Sequence, residues 1–208
     1  MRALMTIMAL MLLVGCAPIQ LKPQVTDQVL YITPIDGASA QIIVPEAFQT
    51  AIIRQKPSFG KAWAIREFEI YVGNPLTKGI LSHVQSLIPQ TRIGNTDDGK
   101  PSSITLKPSV TLLEFGVDDS TYFNRVGWIE ILAAGSDTVV ASRIVLAVEI
   151  SVNDGPKKLI TVEGSASKTI AFITISESDL TEMIGASIND AAQKVGYLVL
   201  AELKKRGP

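Results

Sequence analysis

The sequence predicts an α+β fold: a twisted antiparallel sheet of four or more long strands, two helices on one face, and a long C-terminal helix closing the chain. Three observations predict it. Residues 104–173 divide into four long segments rich in β-branched and aromatic side chains, joined by short polar links. Residues 176–203 carry an apolar stripe at three- and four-residue spacing that outlasts any other in the chain. Residues 74–88 carry a second, shorter stripe of the same period, ended by Pro89.

Taken in order, the chain opens with Arg2 and an amino terminus, then an apolar run from Ala3 to Leu13 interrupted only by Thr6. That length suits the h-region of a signal peptide and is too short to span a bilayer. Leu13-Val14-Gly15-Cys16 follows and resembles the lipobox of bacterial lipoproteins. The resemblance implies cleavage before Cys16, with residues 1–15 as leader, and acylation of the Cys16 thiol. The alternative is an ordinary secretory leader with a chance cysteine. Cys16 is the only cysteine among 208 residues and is followed by the small Ala17, which favours acylation. Each buried methylene contributes about 0.8 kcal/mol, so the three acyl chains usual in Gram-negative lipoproteins would make release negligible. Ala17 in place of Asp implies, by resemblance to enterobacterial sorting, the outer membrane, facing the periplasm. With its thiol consumed, the remaining domain would fold without a disulfide, by packing alone.

Residues 16–28, with Pro18 and Pro23 among polar neighbours, read as the lipidated cysteine and a flexible tether, leaving 29–208 as one periplasmic domain. Residues 29–35 suit a first strand. Residues 41–44 are a short apolar run. Residues 45–54 fit a helix with Pro45 at its first position, although 42–53 equally fits two strands. Residues 62–72 alternate as a strand. Asn74 is placed to cap a helix with Pro75 at its first position, and Leu76, Ile80, Leu81, Val84, Leu87 and Ile88 form its apolar face. Residues 94–103 are a polar, turn-rich loop.

The four β segments are 104–115, 122–133, 138–152 and 157–173. Gly135-Ser136-Asp137 and Asn153-Asp154-Gly155-Pro156 link the later ones as antiparallel hairpins. The final helix opens with Ser176 and Asp179 in the spacing of a capping box. It ends in Lys204, Lys205 and Arg206, which complement the negative end of the helix dipole, and Gly207.

This order resembles the small α/β envelope lipoproteins typified by the YajG-like family, and more remotely the lipoprotein subunit of lipopolysaccharide transport. Residues 160–171 (Ile-Thr-Val-Glu-Gly-Ser-Ala-Ser-Lys-Thr-Ile-Ala) and the helix 176–203, centred on Ile188-Asn189-Asp190-Ala191-Ala192, carry it. The resemblance covers the last hundred residues and implies compartment and fold rather than a mechanism.

Composition excludes some function classes. Charged residues are 19% of the chain and the net charge is −1, so there is no basic field to gather nucleic-acid phosphates. His83 is the only histidine, and no Gly-x-Ser-x-Gly elbow accompanies it, which leaves no Ser-His-Asp triad. One histidine and an acylated cysteine leave no ordinary zinc set. Asp97-Asp98 and Asp118-Asp119 read as solvated turns and strand ends rather than acid–base pairs or a calcium site. Lys157-Lys158 and Lys204-Lys205-Arg206 read as a hairpin tip and a helix end, with contact to anionic lipid or lipopolysaccharide phosphate as the sharper alternative. Trp63 and Trp128 are core residues or, if exposed, docking residues.

The sequence thus predicts no catalytic residue, no metal site and no cofactor. Its expected partners are the membrane, through the lipid, and other envelope proteins, with no nucleic acid; a homo-oligomer is the alternative. The expected function is a non-enzymatic, tethered binding or scaffolding module. The alternatives are an oligomeric component of a trans-envelope secretion, flagellar or polysaccharide-export assembly, and a lipid or lipopolysaccharide transport accessory with a groove between helix and sheet.

Overall fold

The computed structural model describes residues 17–26, 33–60, 63–119, 137–171 and 174–205. The leader, Cys16, Trp128 and the expected strand over 122–133 lie outside the described residues, as does most of the expected strand over 29–35. The architecture is α+β, with a large sheet on one side and a layer of helices and a small sheet on the other. Its elements are β1 (Ile19–Leu21), β2 (Ser39–Ile43), α1 (Glu46–Gln49), β3 (Ile52–Gln55), β4 (Phe68–Tyr71), α2 (Gly73–Leu87), β5 (Gln90–Gly94), β6 (Ile104–Asp118), β7 (Asp137–Val152), β8 (Lys158–Ala171) and α3 (Glu177–Lys204).

Five strands form the large sheet in the order β5-β2-β6-β7-β8. The antiparallel part of the expected meander is found in β6, β7 and β8, but its order is not: β6 pairs directly with β7 along its length, rather than through the strand expected over 122–133. Beyond β6 the sheet is mixed, because β2 runs parallel to both β5 and β6. Asn153 and Asp154, at φ 49° and 53°, turn β7 into β8 in the left-handed conformation of a type I′ turn. The Gly155 N–H closes that turn on the Val152 carbonyl at 3.0 Å.

β6 contains a bulge at Thr111, between Val110 and Leu112. Before it Ile104, Leu106 and Pro108 face the core; after it Leu113, Phe115 and Val117 do. One extra residue has shifted the period-2 alternation by one step.

α3 runs antiparallel to β8 across the core face of the sheet, with Leu180, Ile184, Ile188, Ala191, Ala192, Val195 and Val199 almost fully buried. Its start is a complete capping box. The Ser176 hydroxyl accepts the Asp179 N–H, and the Asp179 carboxylate accepts the Ser176 N–H at 2.9 Å. That network, led by the Ser176 hydroxyl, holds the Asp179 carboxyl below its ordinary value. α2 packs against α3. The small sheet, ordered β1-β4-β3, sends Phe68 into the core, where its ring meets Phe115 of β6 edge-on at 5.4 Å.

Four local expectations need correction. Residues 16–28 do not form a tether throughout: Ile19–Leu21 is a strand, and Leu21 and Val25 are buried. Residues 45–54 are not one helix but the one-turn α1 followed by β3, and 42–53 holds the end of one strand and the start of another, as the two-strand alternative had it. The strand expected over 62–72 is confined to Phe68–Tyr71. Asn74 does not cap α2, which starts at Gly73 with Val72 as its N-cap and no side-chain cap. The Val72 and Gly73 N–H groups donate to the Ala51 carbonyl at 3.1 and 3.2 Å, so the helix entry is fixed by the main chain of a neighbouring element.

Candidate functional site

Cys16 and the preceding Leu13, Val14 and Gly15 lie outside the described residues. The described chain starts at Ala17, and what it builds there is the candidate site. Within two residues it enters β1. The Ile19 N–H donates to the Glu67 carbonyl at 2.9 Å, and Ile19, Gln20 and Leu21 pair in parallel with Phe68, Glu69 and Ile70. Leu21 is 1% exposed, and the Lys22 ammonium lies 5.3 Å from the Tyr71 ring centre.

The strand then continues onto the helices. The Gln24 carbonyl lies against Gly185 of α3, where an added Cβ would come within 2.6 Å of it. The absence of a side chain at Gly185 lets the entering segment lie flat on α3. The N-terminal segment is therefore part of the packed domain.

Beside this entry runs the turn 63–67. Trp63 is half-buried, 6.3 Å from Phe68, with the Arg66 guanidinium 5.5 Å from its ring centre. Arg66 also meets Glu177 at the start of α3, at 3.5 Å. Ile65, between them, is 81% exposed. Phe59, which bridges to Gly116 of β6, is also partly exposed at this pole of the molecule. Composition alone did not single out Ile65; only its place at a turn tip beside the entering strand distinguishes it.

The remaining residues that the sequence singled out are dispersed. His83 lies on α2, 1% exposed, at the contact with α3. Burial lowers its pKa, opposed by a hydrogen bond with Asn189. Asp98 closes a turn: it accepts the Lys100 N–H at 3.1 Å and the Gln41 amide at 3.0 Å and pairs with Arg92. The Lys100 N–H is the main reason its carboxyl is depressed. Asp97 accepts the Gly99 N–H at 3.0 Å. Asp118 ends β6 exposed, and Asp119 beside it is buried.

The two basic clusters meet at the opposite pole. Lys158 and Lys205 both hold Glu202, which is 4% exposed, and together they depress its carboxyl, Lys205 more than Lys158. Lys157 pairs with Glu149 at 2.9 Å. These lysines are engaged by protein carboxylates. Among the described residues, no three His, Cys, Asp or Glu side chains converge as a metal set, and no helix is long and apolar enough to cross a membrane.

Between α3 and the sheet there is no room for an acyl chain along Gly164. An added Cβ at that position would lie 2.1 Å from the Ser187 carbonyl oxygen and 2.5 Å from the Ala191 nitrogen. On the outer face of the large sheet Leu112, Val139 and Leu159 are partly or largely exposed. Arg143 bridges Glu114 at 3.3 Å and Glu163 at 2.7 Å across three strands. The pairing, chiefly with Glu163, raises the guanidinium's pKa and lowers that of Glu163.

No family model matches the chain, and no curated protein matches it in sequence. Solved structures do match in shape. The chain is similar to the crystal structure of a Xanthomonas campestris protein of the DUF330 family, at 11% identity and a TM-score of 0.54, over 91% of this chain and 99% of that one. It is also similar to a minor lipoprotein from Acinetobacter baumannii, at 13% identity and a TM-score of 0.44, over 81% of this chain and 95% of that one. The first likeness identifies a shared fold.

Proposed function

We propose that this chain is a bacterial envelope lipoprotein, acylated on Cys16, that presents a non-enzymatic binding or scaffolding domain in the periplasm at the outer membrane. The observation that carries the reading is Leu13-Val14-Gly15-Cys16 after a short cationic and apolar leader, directly before a strand built into the domain. The YajG-like pattern of residues 160–171 and of the final helix agrees with it. Lipid on Cys16 would hold the domain at a membrane, where a partner meets it at high effective concentration.

The test is mass spectrometry of the protein purified from membranes. An acyl mass on a chain starting at Cys16 is expected, and a bare first residue or an intact leader contradicts the reading. Cys16→Ser should yield an uncleaved or mislocalised precursor whose domain still folds, released by carbonate washing.

A second reading, a homo-oligomeric component of a trans-envelope assembly, draws support from the open outer face of the large sheet, with Leu159 74% exposed at its β8 edge. Sedimentation of the detergent-solubilised lipoprotein separates the two: a monomer removes the second reading. The lipid-transport alternative needs a groove between α3 and the sheet, and the contact at Gly164 leaves none there.

A further inference from the structure

Only Ala17 and Pro18 separate Cys16 from Ile19, which is hydrogen-bonded into the domain. At about 3.3–3.6 Å per residue, the Cys16 Cα cannot stand more than roughly 11 Å from that of Ile19. If Cys16 carries lipid, whatever surface lies within that reach is pressed to the membrane. The turn beside it is an exposed isoleucine flanked by an indole and a guanidinium: Ile65, Trp63 and Arg66. An apolar tip can enter the acyl boundary, an indole favours the headgroup layer, and a guanidinium can meet lipid phosphate. Glu177, 3.5 Å from Arg66, pairs with that cation at the start of α3.

We propose that this turn is a membrane seat: Ile65 inserts into the leaflet that holds the Cys16 lipid, with Trp63 and Arg66 at headgroup depth. The proposal rests on the lipid-anchor reading and adds an orientation to it. β6 spans 15 residues, a length of roughly 45 Å at about 3.3 Å each, and the Asn153-Asp154 hairpin lies beyond the end of it opposite to Phe59.

The test uses the full lipoprotein, expressed with its leader and reconstituted into phosphatidylethanolamine–phosphatidylglycerol vesicles. With the Cys16 thiol acylated, an environment-sensitive fluorophore attaches only at an introduced cysteine, Ile65→Cys or Asp154→Cys. Both sites are exposed, so neither change disturbs the core. A blue shift and quenching by nitroxide-bearing lipids are expected at position 65 and not at 154. An acylated, vesicle-bound protein whose label at 65 behaves like that at 154 overturns the seat while leaving the anchor standing. A blue shift at 65 without quenching by nitroxide-bearing lipids means the turn is covered by a second copy rather than by the leaflet, and also overturns it. A chain without acyl mass on Cys16 overturns the anchor and the seat together.

Discussion

The hydroxyls of Ser142 on β7 and Ser187 on α3 lie 2.9 Å apart in the buried contact between sheet and final helix. The Ser187 hydroxyl also donates to the Ile184 carbonyl at 2.9 Å, which leaves Ser142 as the donor to Ser187. The pair is polar, yet each group is satisfied, so it adds register to an otherwise apolar interface.

Ser187→Ala removes the acceptor and leaves the Ser142 hydroxyl buried without that partner, at a cost of about 1–3 kcal/mol. Ser142→Ala leaves Ser187 bonded to Ile184 and should cost less. The double variant should cost less than the sum. Urea midpoints of the four proteins measure the cycle, and strict additivity would show that the two hydroxyls do not interact.

Gly164→Ala should destabilise by about 3 kcal/mol, because its Cβ would collide with the main chain of α3 at Ser187 and Ala191, which cannot rotate away. An unchanged melting temperature would mean that α3 does not lie on β8. Ile188→Asp, at a fully buried point of the same helix, should cost about as much or more by placing an unpaired carboxylate in the core.

His83 makes stability depend on pH in a defined direction. Burial lowers its folded pKa below 6.5, so the unfolded chain takes up a proton first as pH falls. Its contribution is complete above about 6.5 and declines on acidification towards the folded value. His83→Gln, which can keep a hydrogen bond to Asn189, should flatten the slope below about pH 6.5 in denaturant titrations. The depressed carboxylates act lower. Glu202, held down by Lys205 and then Lys158, stabilises above about 4.5 and loses that contribution as pH falls through its folded value.

The free edge of β8 is blocked by a pair from α3. Asp190 accepts the Ser165 N–H at 2.9 Å, Lys194 donates to the Glu163 carbonyl at 3.0 Å, and the two side chains pair at 2.8 Å. An uncovered edge of 14 residues would invite strand addition. Replacing both with alanine should leave the core intact and promote self-association. Light scattering at rising concentration checks this, and a monomeric double variant would show that the edge is protected by other means.

The parts of the fold legible in the sequence are those written in local chemistry. Ser176 and Asp179 mark the start of α3, its stripe marks the buried face, and Asn153-Asp154 marks a left-handed turn that the structure contains. The illegible parts depend on distant partners. β5 and β2 are strands because they lie parallel to each other, and β2 also to the start of β6, an arrangement with no local turn signal. Pro18 and Pro23 make residues 17–26 look unstructured, while β4, Gly79 and Gly185 supply the surface that orders them. In the candidate site, Cys16 was legible as a motif. Ile65 was not, because a single isoleucine in a polar stretch reads the same whether it is covered or bare.

The extra residue at Thr111 sets which half of β6 faces which way. Its hydroxyl donates to the Val145 carbonyl at 2.9 Å, tying the irregularity to the next strand. Deleting that one threonine while keeping the hairpin alignment would leave Val110 opposite Leu146 and Leu112 opposite Val145 in an unbroken ladder, with Phe115 and Val117 still facing the core. The spare residue makes β6 tolerant of a deletion at this one point, whereas loss of a residue from a regular strand turns the rest of its side chains to the other face. Phe68 would keep the ring it packs against, and the small sheet carrying the N-terminal strand its hold on the large one.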